Sequence, residues 1–310
     1  MSVSNRYQGL LIATVVVSLL SPSTLQAEKN KYVLAIGIDG MRTDALDVAK
    51  TPNIDKLIEN GSVSSTAQIL GTRYRKNDTI SGPGWTSFLT GVWADRHGVH
   101  DNDFKGHKID QFPHFFSLLK QQFPEYKTAS YVDWHPIDRF IVSGADIRVA
   151  YKASGADGYA IYDQRIATQV SKALARNDVR TTMVYFGAVD ETGHKYGFHP
   201  ANPQYVQSIE TVDRHVGTLM SAIGSRSSYD SEDWLILISS DHGGQGTGHG
   251  GGHDTPTVRH VYLIVSGNAA KKGRFEMPVY IVDLPVTALV HLGVTLQPKW
   301  RLDGRAVGLK

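Results

Sequence analysis

The stretch Tyr32-Val33-Leu34-Ala35-Ile36-Gly37-Ile38, followed at once by Asp39-Gly40, decides the fold class. It carries no charge and does not alternate, as expected of a strand buried on both faces rather than on one. Two more runs have the same character, Thr182-Met183-Val184-Tyr185-Phe186-Gly187-Ala188-Val189 and Trp234-Leu235-Ile236-Leu237-Ile238-Ser239-Ser240, and they stop at Asp190 and Asp241. Amphipathic stretches lie between such runs. One opens with Thr51-Pro52-Asn53, a capping residue and then proline in the first turn, and closes at Gly61. The alternation reads as an α/β fold, a three-layer α/β/α sandwich around a mainly parallel central sheet.

In an open sheet of this kind ligands bind at the carboxyl ends of the strands, so Asp39, Asp190 and Asp241 are expected to converge on one edge. Each alone could be a turn residue or a helix cap. Three together repel, and like charges sharing a site drive a pKa upward unless a cation compensates. The histidines indicate which cation. His194 follows Asp190 by four residues, which brings both to one face of a helical turn; His242 adjoins Asp241; and His249 ends the run Gly243-Gly244-Gln245-Gly246-Thr247-Gly248. The chain has no Cys, so no thiolate can bind metal or attack a substrate. Imidazole with carboxylate suits zinc, and is also compatible with manganese or another divalent ion.

A nucleophile is offered by Ser81-Gly82-Pro83-Gly84-Trp85-Thr86-Ser87-Phe88-Leu89-Thr90-Gly91, a turn feeding a short helix with Ser81 at or just before its amino end. Backbone N–H groups there can hold phosphate oxygens. Read alone, Ser81 is equally an ordinary N-cap. Its hydroxyl needs activation, which coordination to a divalent metal would supply.

The wider composition sets limits. Of 310 residues, 41% are hydrophobic and 20% charged, an ordinary globular balance, and 32 Lys and Arg against 30 Asp and Glu exclude a strongly basic binder of duplex nucleic acid. Residues 1–27 read as a signal peptide: Arg6, the apolar run Leu10 to Leu20, then Ser21-Pro22-Ser23 and the small residue Ala27 before Glu28. The apolar run is short against the ~20 residues that span a bilayer. Export to the periplasm or the exterior is therefore expected, with no stable membrane anchor after cleavage and residues 28–310 forming a single catalytic domain. Oligomeric state has no signature in the sequence.

The ordered set Ile38-Asp39-Gly40-Met41-Arg42, Thr51-Pro52-Asn53-Ile54-Asp55-Lys56-Leu57, Ser81-x-Pro83 with Thr90-Gly91, His97-Gly98-Val99, Asp190-x-x-x-His194, Asp241-His242-Gly243, His249-Gly250 and Leu302-Asp303-Gly304-Arg305 resembles the alkaline phosphatase superfamily, most of all its type I phosphodiesterase/nucleotide pyrophosphatase branch. The resemblance implies an alkaline-phosphatase-like fold. It implies two divalent metal ions, one held by Asp190, His194 and His249, the other by Asp39, Asp241, His242 and Ser81. It further implies Ser81 as the catalytic nucleophile, passing through a phosphoseryl intermediate, and Asn102 as a residue that binds a phosphoryl oxygen. The substrate class is a small-molecule phosphate ester or diester.

Departures from the pattern leave alternatives. The branch commonly has Thr as nucleophile within Thr-Phe-Pro-Asn-His, whereas this chain has Ser81-Gly82-Pro83-Gly84-Trp85. Sulfatases of the superfamily place an Arg four residues after the modified residue, where Trp85 stands here. His253 follows His249 closely enough to compete with it as a ligand. Arg73, Arg75 and Lys76 could neutralise a monoester dianion, and Trp85, Tyr74, Trp134 and His135 could offer stacking faces to a diester. A phosphomonoesterase, a sulfatase and a non-catalytic, metal-stabilised envelope protein are the competing readings.

Overall fold

Strand β1, Asn30–Ile38, runs through the middle of one eight-stranded sheet. The computed structural model describes Met1, residues 29–176 and residues 178–310; the leader expected over residues 1–27 lies, Met1 apart, outside them. The other strands are β2 (Gly61–Gln68), β3 (Thr128–Val132), β4 (Ile147–Ala150), β5 (Thr181–Phe186), β6 (Glu232–Ser239), β7 (His260–Gly267) and β8 (Gly273–Arg274). Their order across the sheet is β4-β3-β5-β1-β6-β7-β2-β8. Only the pairings of β7 with β6 and with β2 are antiparallel, so the sheet is mainly parallel, as the buried apolar runs imply.

The lack of alternation in β1 has a direct cause. Val33 and Ala35 enter one core with Trp85, Phe88, Met183 and Leu235, while Leu34, Ile36 and Ile38 enter a second core with Val184, Ile209, Val216 and Ile236 on the opposite face. Helices cover both sides. Ser81–Thr90, Phe115–Lys120 and Asp283–His291 pack on the first face, and Pro52–Glu59, Gly155–Arg176 and Pro203–Gly224 on the second. Burying each large aliphatic side chain of β1 in this way contributes roughly 1.5–3 kcal/mol. Among the described residues no helix is long and apolar enough to cross a membrane.

One boundary differs from the sequence reading. The run Thr182 to Val189 is not strand throughout: β5 stops at Phe186, and Ala188–Tyr196 is helix. The cause is long-range, because Asp163 accepts the N–H groups of Gly187 at 3.0 Å and Ala188 at 3.2 Å and so starts a helix there. Asp190 therefore sits in the first turn of a helix rather than on a strand tip, one turn ahead of His194.

Candidate active site

Four parallel neighbours, β3, β5, β1 and β6, deliver their carboxyl ends to one edge, and the site is built there. Asp39 follows β1 directly, with its N–H donating to Phe186 O at 3.0 Å. Asp241 and His242 follow β6 through Ser240. The loop beyond Asp39 is tied down by buried Arg42, whose Nη1 donates to Phe198 O at 2.6 Å and Gly244 O at 3.1 Å while its other nitrogens pair with Asp44. That guanidinium joins the end of β1 to the glycine run after His242. The Ser81–Thr90 helix is seated against the same edge at Gly84, where a Cβ would come 2.7 Å from Asp241 Cβ.

The structure brings together Asp39, Asp190, His194, Asp241, His242 and His249. Two sets of ligand atoms lie within 4.8 Å of one another: Asp190, His242 and His249, and Asp39, Asp241 and His242. His194 Nε2 adjoins the first set, 3.3 Å from Asp190 Oδ2 and 3.1 Å from His249 Nε2. His242 is within reach of both sets, but its Nε2 makes its short approaches to Asp241 Oδ2 at 3.2 Å, Asp39 Oδ1 at 3.4 Å and Ser81 Oγ at 3.4 Å. Its ring stacks on that of His249 with centroids 3.7 Å apart.

All three imidazoles use Nδ1 in the same way. His194 donates to Thr247 O at 2.9 Å, His242 to Gly243 O at 2.8 Å and His249 to Thr79 O at 3.0 Å. A carbonyl can only accept, so each Nδ1 carries a proton; His242 and His249, kept neutral by burial, turn a bare Nε2 inward, while His194 turns its Nε2 to Asp190 Oδ2. This outer contact is the one that metal-binding histidines ordinarily make. His253, the rival of His249, is turned away, with Nε2 2.7 Å from Asn77 O.

The buried carboxylates of this cluster lack full compensating charge. Asp39 Oδ1, Asp190 Oδ1 and both carboxylate oxygens of Asp241 are buried with no hydrogen-bond partner among the described residues. Burial pushes Asp190 up to about 7 and Asp241 well above the usual carboxylate range, and Asp39 adds to both shifts. Burial also pushes His242 and His249 down to about 3, whereas the hydrogen bond to Asp190 raises His194 to about 9. Orphaned carboxylate oxygens and bare imidazole nitrogens facing one another satisfy no donor, yet both satisfy a divalent cation. The residues present fit a pair of such ions.

Ser81 is the first residue of its helix, and the N-cap is Ile80, which makes no side-chain cap. The Ser81 hydroxyl is therefore not spent on capping. Asn102 Oδ1 accepts the N–H of Gly82 at 2.6 Å, which fixes the amide, and Asn102 lines the same cavity as Ser81. A cavity of about 270 Å³ opens over these groups, lined by Asp39, Ser81, Asn102, Asp190, His194 and His249 together with Trp134, Tyr159, Tyr185, Gly187 and Glu191.

Several auxiliary residues from the sequence lie elsewhere. Arg73 pairs with Asp303 and Asp95, and Arg75 with Asp254, and neither they nor Lys76 line the cavity. Tyr74 lies beside His100, the two 3.2 Å apart. Trp85 is fully buried and offers no stacking face, and of the four aromatic candidates only Trp134 lines the cavity.

Sequence reasoning missed Asp133, a fourth strand-end carboxylate, which follows β3. Asp133 is fully buried with both oxygens lacking a hydrogen-bond partner among the described residues, and it faces Asp163, the carboxylate that starts the Asp190 helix. Burial pushes both carboxyls up, Asp163 to about 7, so the pair holds a proton. A folded pKa raised above the unfolded value near 3.9 gives stability that is complete at low pH and lost as pH rises through about 7. In D133N an amide donor replaces the shared proton at every pH. Its melting temperature at pH 8 should exceed that of the parent by roughly 3–6 °C, and the gap should narrow steadily toward pH 4.5. Parallel melting curves for the two proteins across that range check it, and a constant offset would show that no shared proton is involved.

Against known proteins, the model of the type I phosphodiesterase / nucleotide pyrophosphatase family matches residues 33–254. Ectonucleotide pyrophosphatase/phosphodiesterase family member 7 of Rattus norvegicus is 26% identical over 260 residues, covering 76% of this chain and 56% of the relative. The chain spans about half the length of the curated relatives it matches first. Among solved structures, murine ectonucleotide pyrophosphatase/phosphodiesterase 5 superposes with a TM-score of 0.66 at 14% identity, over 86% of this chain and 96% of that one. A 2-O GAG sulfatase superposes with a TM-score of 0.70 at 13% identity, over 90% of this chain and 73% of that one. These two likenesses show a shared alkaline-phosphatase-like fold.

Proposed function

The chain belongs to the type I phosphodiesterase/nucleotide pyrophosphatase family, and from that premise we propose that it is an exported hydrolase of phosphoric esters, diesters before monoesters, with Ser81 as nucleophile. The observation that carries the reading is the convergence of bare His Nε2 atoms and orphaned carboxylate oxygens around the uncapped Ser81 hydroxyl. Asp190, His194 and His249 would hold one divalent ion, and Asp39, Asp241, His242 and Ser81 the other, with zinc suiting the nitrogen and oxygen donors. When bound, the ions supply positive charge for the attacking and leaving oxygens of an in-line displacement.

The chain's own groups position the reaction. Ser81 Oγ attacks phosphorus in line, its proton passing to solvent, and the P–O bond opposite breaks, the departing oxygen taking a proton from solvent to leave as the alcohol and an ester remaining on Ser81. Water then displaces Ser81 from the vacated side, so two inversions retain configuration at phosphorus. Asn102 Nδ2 donates to a non-bridging oxygen, held for this by the bond from Gly82 N–H to its Oδ1. The amino end of the Ser81–Thr90 helix adds its positive dipole at the same place.

Preference for a diester rests on charge. The cavity lining includes Glu191 and neither Lys nor Arg among the described residues, which disfavours a dianionic monoester more than a monoanionic diester. Trp134 and Tyr159 give the second substituent apolar faces. Purified protein assayed on bis-p-nitrophenyl phosphate, p-nitrophenyl phosphate and p-nitrophenyl sulfate should favour the diester by about tenfold or more in kcat/KM. A faster monoester would make it a phosphomonoesterase, and turnover of the sulfate alone would make it a sulfatase.

A further inference from the structure

Trp85 stands four residues after Ser81 yet is withdrawn completely from solvent, so its side chain serves something inside the protein. The indole lies across β1 at Gly37, where a Cβ would come 2.4 Å from two ring atoms, so only glycine admits it. Gly37 and Asp39 are two residues apart and share a strand face. The ring that covers Gly37 thus brings its Nε1 to Asp39 Oδ2, at 3.0 Å. From the adjoining strand Tyr185, the register partner of Gly37, donates its hydroxyl to the same oxygen at 2.5 Å. The two rings meet edge to face, with centroids 5.2 Å apart.

Both donors fall on one oxygen. Asp39 Oδ1 receives none among the described residues, is buried, and lies 3.4 Å from His242 Nε2. We propose that Trp85 and Tyr185 form a positioning clamp that commits Asp39 Oδ2 to the protein and presents Oδ1 alone to a metal ion shared with Asp241, His242 and Ser81; this rests on the two-metal reading above. An indole N–H can only donate, and the Tyr185 hydroxyl spends its one proton on the same oxygen, so both partners hold Oδ2 to the protein. The consequence reaches the nucleophile. A zinc site of four protein ligands is complete with Asp39, Asp241, His242 and Ser81, and a second oxygen from Asp39 would compete with the serine for its place. The nucleophile helix is therefore registered against the ligand that shares its metal, through a side chain one turn along the same helix.

The test uses the full chain and the variants W85F and Y185F, which keep the rings and remove the N–H or O–H. Zinc binding is followed by competition with a chromogenic chelator, folding by the melting curve of the chelated protein, and kcat and KM on bis-p-nitrophenyl phosphate. The clamp predicts that each variant folds, weakens one of two zinc ions by roughly 10- to 100-fold without moving the other, and lowers kcat more than KM. Should W85F fail to fold, Y185F carries the comparison. Two ions bound by both variants with parental affinity would overturn the clamp while leaving the two-metal reading intact. A parent protein that binds fewer than two ions would defeat that reading, and the clamp with it.

Discussion

Replacing Ser81 by alanine is expected to lower diester hydrolysis by about 10⁴-fold or more while zinc content stays near that of the parent. The size follows from the role, because a residue that forms the covalent intermediate has no substitute in the site. Retained metal follows from the geometry. His242 Nε2 approaches Asp241 and Asp39 as closely as it approaches Ser81, and the Asp190, His194 and His249 set does not involve the serine. The fold should also be unaffected, since the hydroxyl caps no helix. Steady-state rates with elemental analysis of the same sample check both halves. A variant with parental rates removes Ser81 from the chemistry.

Exhaustive chelation is expected to abolish turnover and to lower the melting temperature by roughly 10 °C. The stability change comes from binding to the folded state alone, about 4 kcal/mol for an ion at a thousand times its Kd. The cluster accounts for its sign. Asp39, Asp190 and Asp241 leave four buried oxygens without donors among the described residues, and a bound cation relieves their repulsion. Restoring zinc should restore both rate and melting temperature. A chelated protein that melts as before would show that the carboxylates are reconciled in another way.

What the sequence disclosed and what it withheld differ for physical reasons. β1 and β6 were legible because a strand buried on both faces has no polar alternation to confuse it, and Asp39 and Asp241 could be read from the points where the apolar runs stop. The helix that begins at Ser81 was legible from Gly91, which takes the left-handed conformation that ends it, whereas Ser81 as nucleophile rests on the order of the family motifs. The end of β5 was not, because Asp163 sets it from another helix. His249 and His253 lie in a glycine-rich loop without periodicity, and long-range contacts separate them, His249 reaching Thr79 and His194 while His253 turns to Asn77. Asp133 escaped because β3 is five residues long and mixes Thr128, Ser130 and Tyr131 with its apolar positions. Trp85 read as a stacking face because nothing local reveals that Gly37 makes room for it. Glu191 was hidden between two residues already assigned to metal.

The central claim is that two ions gather at one strand edge around Ser81. It is tested most directly by counting zinc in the purified protein while measuring diester hydrolysis on the same sample during stepwise chelation. Two ions per chain are expected at full activity, with the rate falling as they are withdrawn. Full activity that persists with no bound metal would contradict it.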